Sequence, residues 1–166
     1  FNRTYRHFCS HRHTPSAGEP GYPAVVKSGR VIYLAHPVFS QYHKNAPRWV
    51  KTVVLDALRL LLPEPLVRHE GPSTLTTALN EQPAAGRAVL HLLHYIPERR
   101  GQDFDIIEDV IPLYGVRVSV RAPREVAAAR LAPEGTPLEI AQRDGRVEFV
   151  VPEVRGHQMV ALEYAP

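Results

Sequence analysis

The chain has 166 residues, 44% of them apolar and 22% charged. That is ordinary globular composition with ample material for a core, and it excludes a disordered polar tail. A formal charge of +3, with arginines spread along the chain and no basic stripe interleaved with aromatics, argues against nucleic-acid binding. No apolar run reaches the length of a membrane span, and no stretch of the sequence is expected to be a signal peptide. The single cysteine, Cys9, excludes an internal disulfide framework and is compatible with a cytoplasmic location. The sequence begins with Phe1, so it is expected to be processed or to be a piece of something longer. Sixteen prolines against ten glycines, scattered through connections, point to many short elements.

Phe1–Phe8 opens the chain as a strand or an irregular lead-in. Ser16–Tyr22, with Gly18, Pro20 and Gly21, should be a flexible loop. Val25–Tyr33 has the pattern of a hairpin turning at Lys27-Ser28-Gly29. Arg30–Ala35 is a short, mostly apolar run, and such a run suits a strand covered on both faces in a parallel sheet. Val38–Lys44 reads as a connection. A helix is then expected, with Asn45 as its cap and Pro47 in its first turn. Val50, Val53, Val54, Ala57, Leu58 and Leu61 form its apolar stripe, and Pro63 and Pro65 end it.

Beyond Pro65 the helical period stops and short β-type runs take over, so a domain boundary is expected near Pro63–Pro72. The runs are Pro72–Leu79, Arg87–Ile96, Val116–Arg121, Val126–Leu131, Leu138–Gln142, Arg146–Val151 and Gln158–Tyr164. Asp144-Gly145 is a hairpin signal. Strands at this spacing predict an antiparallel sandwich of immunoglobulin-like type. The fold class expected is therefore α+β: a partial α/β layer over 1–65, then a β-sandwich over 66–166. Pro97–Pro112 is a long connection whose isoleucines are expected to tuck into the core. Its acids Asp103, Asp105, Glu108 and Asp109 lack the spacing and central glycine of a calcium loop.

Four groups of residues have chemical potential. His36, Ser40, Tyr42 and His43 lie after the strand Arg30–Ala35, at its carboxyl end, where open α/β sheets usually bind ligands. They are the candidate ligand-binding set. His7, Cys9, His11 and His13 are the candidate metal set, all on one face if the segment is extended; zinc sites more often use two separated pairs. Cys9 lacks the small neighbours of a nucleophile elbow, which argues against covalent catalysis. His91 and His94, three apart in a strand, should face opposite sides, one of them as a core histidine. Glu139, Glu148, Glu153 and Glu163 do not single out the paired carboxylates of a glycosidase. Trp49 is expected as a packing anchor. Nothing calls for a cofactor.

The order of parts nevertheless resembles a known family. "GRVIYLAHPVFSQY", a helix ending in "LLP", the strand "VLHLLHY" and the closing "VEFVVPEVRGHQMVALEY" look like the carboxyl-terminal end of β-galactosidase-like glycoside hydrolases. The resemblance implies that residues 1–62 belong to an amidotransferase-like α/β domain, the trimerisation domain, and about 66–166 to a small β-sandwich. It also implies that the catalytic acids lie on a TIM barrel outside this chain, so no catalytic residue is assigned. The expected partners are the barrel domain or a second copy covering a sheet edge near residues 24–35. The alternatives are a carbohydrate-binding sandwich stacking sugar on Tyr95, Phe104 or Tyr114, and a small hydrolase pairing Cys9 with His36 or His43.

Overall fold

The computed structural model describes residues 15–166. The candidate metal set His7, Cys9, His11 and His13 and the lead-in Phe1–Phe8 lie outside the described residues. Two compact units meet between Glu64 and Pro65. The architecture is a β-rich α+β fold.

Among its described residues the front unit holds two strands and two helices. β1 (Val25–Ser28) and β2 (Val31–Leu34) form an antiparallel hairpin in which Ser28 faces Val31. That register leaves Gly29-Arg30 as the turn, with Gly29 at φ +54, a conformation a glycine adopts without strain. A hairpin forms as the sequence suggests, though its turn is Gly29-Arg30 and not Lys27-Ser28-Gly29, whose first two residues belong to β1; the parallel, doubly covered strand does not form. Among the described residues β2 pairs with β1 alone, and Val31 and Tyr33 are each 64% exposed. An apolar run of strand length does not reveal whether both its faces are covered.

The expected connection Val38–Lys44 is a helix, α1 (Val38–Asn45). Its polar residues masked a two-turn element in which Val38 and Tyr42 sit one turn apart. Asn45 does not cap the next helix; it is the last residue of α1. Ala46 follows at φ 45 and its N–H returns to the Tyr42 carbonyl at 2.7 Å. The residue before a proline is disfavoured in the right-handed helical region, so the chain breaks here. Pro47 then precedes α2 (Arg48–Leu61). The stripe expected on α2 is only partly covered: Val50 is buried, Val53, Val54, Ala57 and Leu61 are half-buried, and Leu58 is exposed. Trp49, expected to anchor packing, is 62% exposed.

The second unit is a two-sheet β-sandwich. Its strands are β3 (Val67–His69), β4 (Leu75–Gln82), β5 (Arg87–His94), β6 (Glu98–Arg99), β7 (Asp105–Ile106), β8 (Leu113–Arg121), β9 (Val126–Ala132), β10 (Pro137–Leu138), β11 (Ala141–Arg143), β12 (Arg146–Val154) and β13 (Gly156–Tyr164). One sheet runs β10-β9-β13-β5-β4 and the other β11-β12-β8-β3, all antiparallel. Leu90, Leu92, Val160 and Leu162 from the first meet Val116, Val118, Val120, Val147, Phe149 and Val151 from the second in one core. The alternation of Val116, Val118 and Val120 decides which face of β8 is inside. The run expected over Leu138–Gln142 is two short strands, one in each sheet, separated at Glu139-Ile140. Asp144-Gly145 makes the hairpin foreseen, with φ 51 and 70.

The long connection Pro97–Pro112 is not a simple loop. β6 and β7 pair within it, Arg99 bonds Asp105, and Arg100 bonds Glu98 and Glu108. Its isoleucines do not enter the core: Ile107 and Ile111 are 49% and 52% exposed.

Arg146 closes the edge of the smaller sheet. It is buried, and its guanidinium donates to Ser119 Oγ (2.8 Å), the Ser119 carbonyl (2.8 Å) and the Pro65 carbonyl (2.9 Å). Removing the fork strands several acceptors at once, and each buried orphan costs roughly 1–3 kcal/mol. Arg146→Met is therefore expected to lower unfolding free energy by about 2 kcal/mol in chemical denaturation. An unchanged midpoint would contradict this role.

Candidate functional site

A groove of about 460 Å³ lies on the outer face of the smaller sheet. Strand register builds it. Arg68, Ser119 and Glu148 share one row across β3, β8 and β12, and Arg117 stands opposite Val150 in the next. Arg143 bonds Glu148 at 3.1 Å, and Glu70 lies 3.8 Å from Arg117. A glycosidase acid needs surroundings that keep its proton on at neutral pH, such as an apolar pocket. These carboxylates instead face guanidinium groups on an open surface. The groove is suited to polar contact.

The ligand-binding candidates come to lie on and before α1. Ser40 and His43 share one side of the helix with Phe39 and Lys44, around a shallow hollow. Tyr42 lies on the side of Val38, one turn on, and His36 precedes the helix, its carbonyl accepting from the Val38 N–H at 2.7 Å. Only Ser40 and His43 are brought together, and neither shares a cleft with a carboxylate among the described residues. Of the other acids considered, Glu153 pairs with Arg155 and Glu163 with Arg130, both on exposed faces. Among the described residues no group of three or more His, Cys, Asp or Glu side chains converges as a metal site.

The histidines of β5 do face opposite ways. His94 is buried, with Nδ1 3.2 Å from Thr74 Oγ1. His91 faces out and meets His157 of β13, Nδ1 to Nε2 at 3.0 Å, with the rings within 7° of parallel. Sequence spacing gave no sign of that partner, 66 residues away; only strand register brings it alongside. The three aromatics considered for sugar stacking are all exposed: Tyr95 37%, Phe104 60% and Tyr114 68%. Tyr95 closes over Gly156 and Phe104 over Gly101, places where an added Cβ would collide with the ring.

Tyr164 was also missed. Its hydroxyl donates to both Glu81 oxygens at 2.7 and 2.9 Å, and the Arg124 guanidinium lies 4.7 Å from the ring centroid. Desolvation by burial and then the Glu81 carboxylate push its pKa up to about 12, against a smaller downward pull from Arg124. The folded state therefore holds this proton more tightly than the unfolded chain. The contribution is complete below pH 10 and fades as pH rises from 10 towards 12. Glu81→Gln removes the charged acceptor, so Tyr164 in that variant is expected to ionise at lower pH in a phenolate absorbance titration referenced to Tyr164→Phe. Identical titrations would contradict the assignment.

No family model matches the chain, and no curated protein matches it. Among solved structures it is similar to alpha-L-fucosidase isoenzyme 2 from Paenibacillus thiaminolyticus, with 40% sequence identity and a TM-score of 0.88. The match covers 100% of this chain and 26% of that one, so the chain spans about a quarter of the length of that enzyme. The likeness is thus to part of a glycoside hydrolase, and it does not single out the β-galactosidase type. No helix among the described residues is long and apolar enough to cross a membrane.

Proposed function

We propose that this chain is a non-catalytic accessory and assembly region of a glycoside hydrolase whose catalytic barrel lies elsewhere in a longer polypeptide. The observation that carries the reading is the similarity, along the whole chain, to a quarter of an α-L-fucosidase. The surface agrees with it. Every acid weighed as half of a glycosidase pair, other than Glu139, faces an arginine. The front unit meanwhile leaves Val31, Tyr33, Phe39, Trp49, Leu60 and Leu62 exposed, the kind of apolar surface that other protein covers. The barrel domain or a second copy of the chain would cover it, and the outer edges of the β1–β2 hairpin with it.

Within this reading, residues 1–65 correspond to the end of an amidotransferase-like, trimerisation-type domain and 66–166 to an immunoglobulin-like terminal sandwich, as the β-galactosidase-like resemblance implies. Sugar specificity on the fucosidase side is favoured by the named neighbour. A second reading, a carbohydrate-binding sandwich, is favoured by the exposure of Tyr95, Phe104 and Tyr114. The test is turnover. The chain alone is expected to release no nitrophenol from nitrophenyl α-L-fucoside or β-galactoside, at any pH at which it stays folded. Hydrolysis of either by the isolated chain would overturn the assignment.

A further inference from the structure

We infer that the outer face of the larger sheet carries a copper-binding site formed by His91 and His157, with Met159 as a third, softer donor. Register assembles it. His91 on β5 pairs directly with Met159 on β13, and His157 lies two residues before Met159, where side chains return to the same face. Met159 is the chain's only methionine. Nδ1 of His91 and Nε2 of His157 stand 3.0 Å apart. At that separation the two nitrogens face each other in a hydrogen bond, and a turn of the rings about their Cβ–Cγ bonds is what lets both reach one ion at about 2.0–2.1 Å. The two strands are central neighbours in their sheet, so the pair sits on rigid backbone. His157 is exposed and His91 half-buried, which leaves an open approach for the ion and for water.

A supporting contact is already in place. Asn80 Nδ2 lies 3.4 Å from His91 Nε2, so Asn80 donates to that nitrogen and His91 in turn donates from Nδ1 to His157. When an ion enters, the His91 proton moves from Nδ1 to Nε2, and a flipped Asn80 amide accepts it through Oδ1. Nδ1 of His91 and Nε2 of His157 then both present lone pairs, and no proton need leave the ring pair. Among first-row divalent ions Cu²⁺ binds such nitrogen sites most strongly, and a thioether favours Cu⁺ over harder ions. The inference does not rest on the proposed accessory role.

The test uses the full chain carrying alanine at His7, Cys9, His11 and His13, so that the amino-terminal cluster cannot contribute. Titration with Cu²⁺ is expected to show one ion per chain, with nitrogen couplings in electron paramagnetic resonance. His91→Ala or His157→Ala in that background should each weaken binding at least about tenfold, and Asn80→Ala about tenfold. Met159→Leu should weaken Cu⁺ but leave Zn²⁺ unaffected. As a check that needs no substitution at the site, Zn²⁺ should shift the ring resonances of His91 and His157 together in the same background. Copper affinity indifferent to His91 and His157, or zinc shifts confined to other histidines, would overturn the site.

Discussion

The second unit depends on one constraint: two antiparallel sheets must close their apolar faces on each other, and the tightest of the crossings between them is a one-residue corner. β12 belongs to one sheet and β13 to the other, with only Arg155 between them. Gly156 turns that corner at φ +71 with the Tyr95 ring lying against it. A side chain at 156 would meet both a strained backbone and the tyrosine. Because β12 and β13 are also the central strands that bury Val147, Val151, Val154, Val160 and Leu162, the corner fixes the alignment of both inner faces.

The outer faces follow from the same alignment. Once Leu90 and Leu92 point inward, His91 must point outward, and the register of β13 sets His157 and Met159 beside it. Once Val118 and Val120 point inward, Arg117 and Ser119 line the groove with Glu148. No separate device is needed to position either surface. The front unit lacks such closure. Among the described residues its sheet has two strands, and its helices bury one side chain each, Val38 and Val50. Two isolated strands are marginal in water, and on the proposed reading other protein covers the apolar surface of this unit.

Much of the sandwich was legible because alternation is a local signal. Val116–Val120 and the Asp144-Gly145 turn announce themselves in a few residues, and the opposite facing of His91 and His94 follows from spacing alone. The failures share a cause: each depended on what lay beyond the segment. Arg30–Ala35 has the composition of a buried strand, yet its environment decides whether it is buried. Val38–Asn45 is polar enough to look like a loop and is held as a helix between Pro37 and Ala46. Inside 97–112, ion pairs accompany a short hairpin that hydrophobicity does not mark. The pairing of His91 with His157 depends on register across 66 residues, which no local pattern encodes.

On the proposed reading the sandwich is self-sufficient and the front unit is covered by another domain or a second copy. Backbone hydrogen exchange on the isolated chain tests that division most directly, because exchange reports local opening residue by residue. The account predicts slow exchange through β5, β8, β12 and β13, and much faster exchange through β1, β2, α1 and α2. Equal, strong protection of both units in the isolated chain would contradict it.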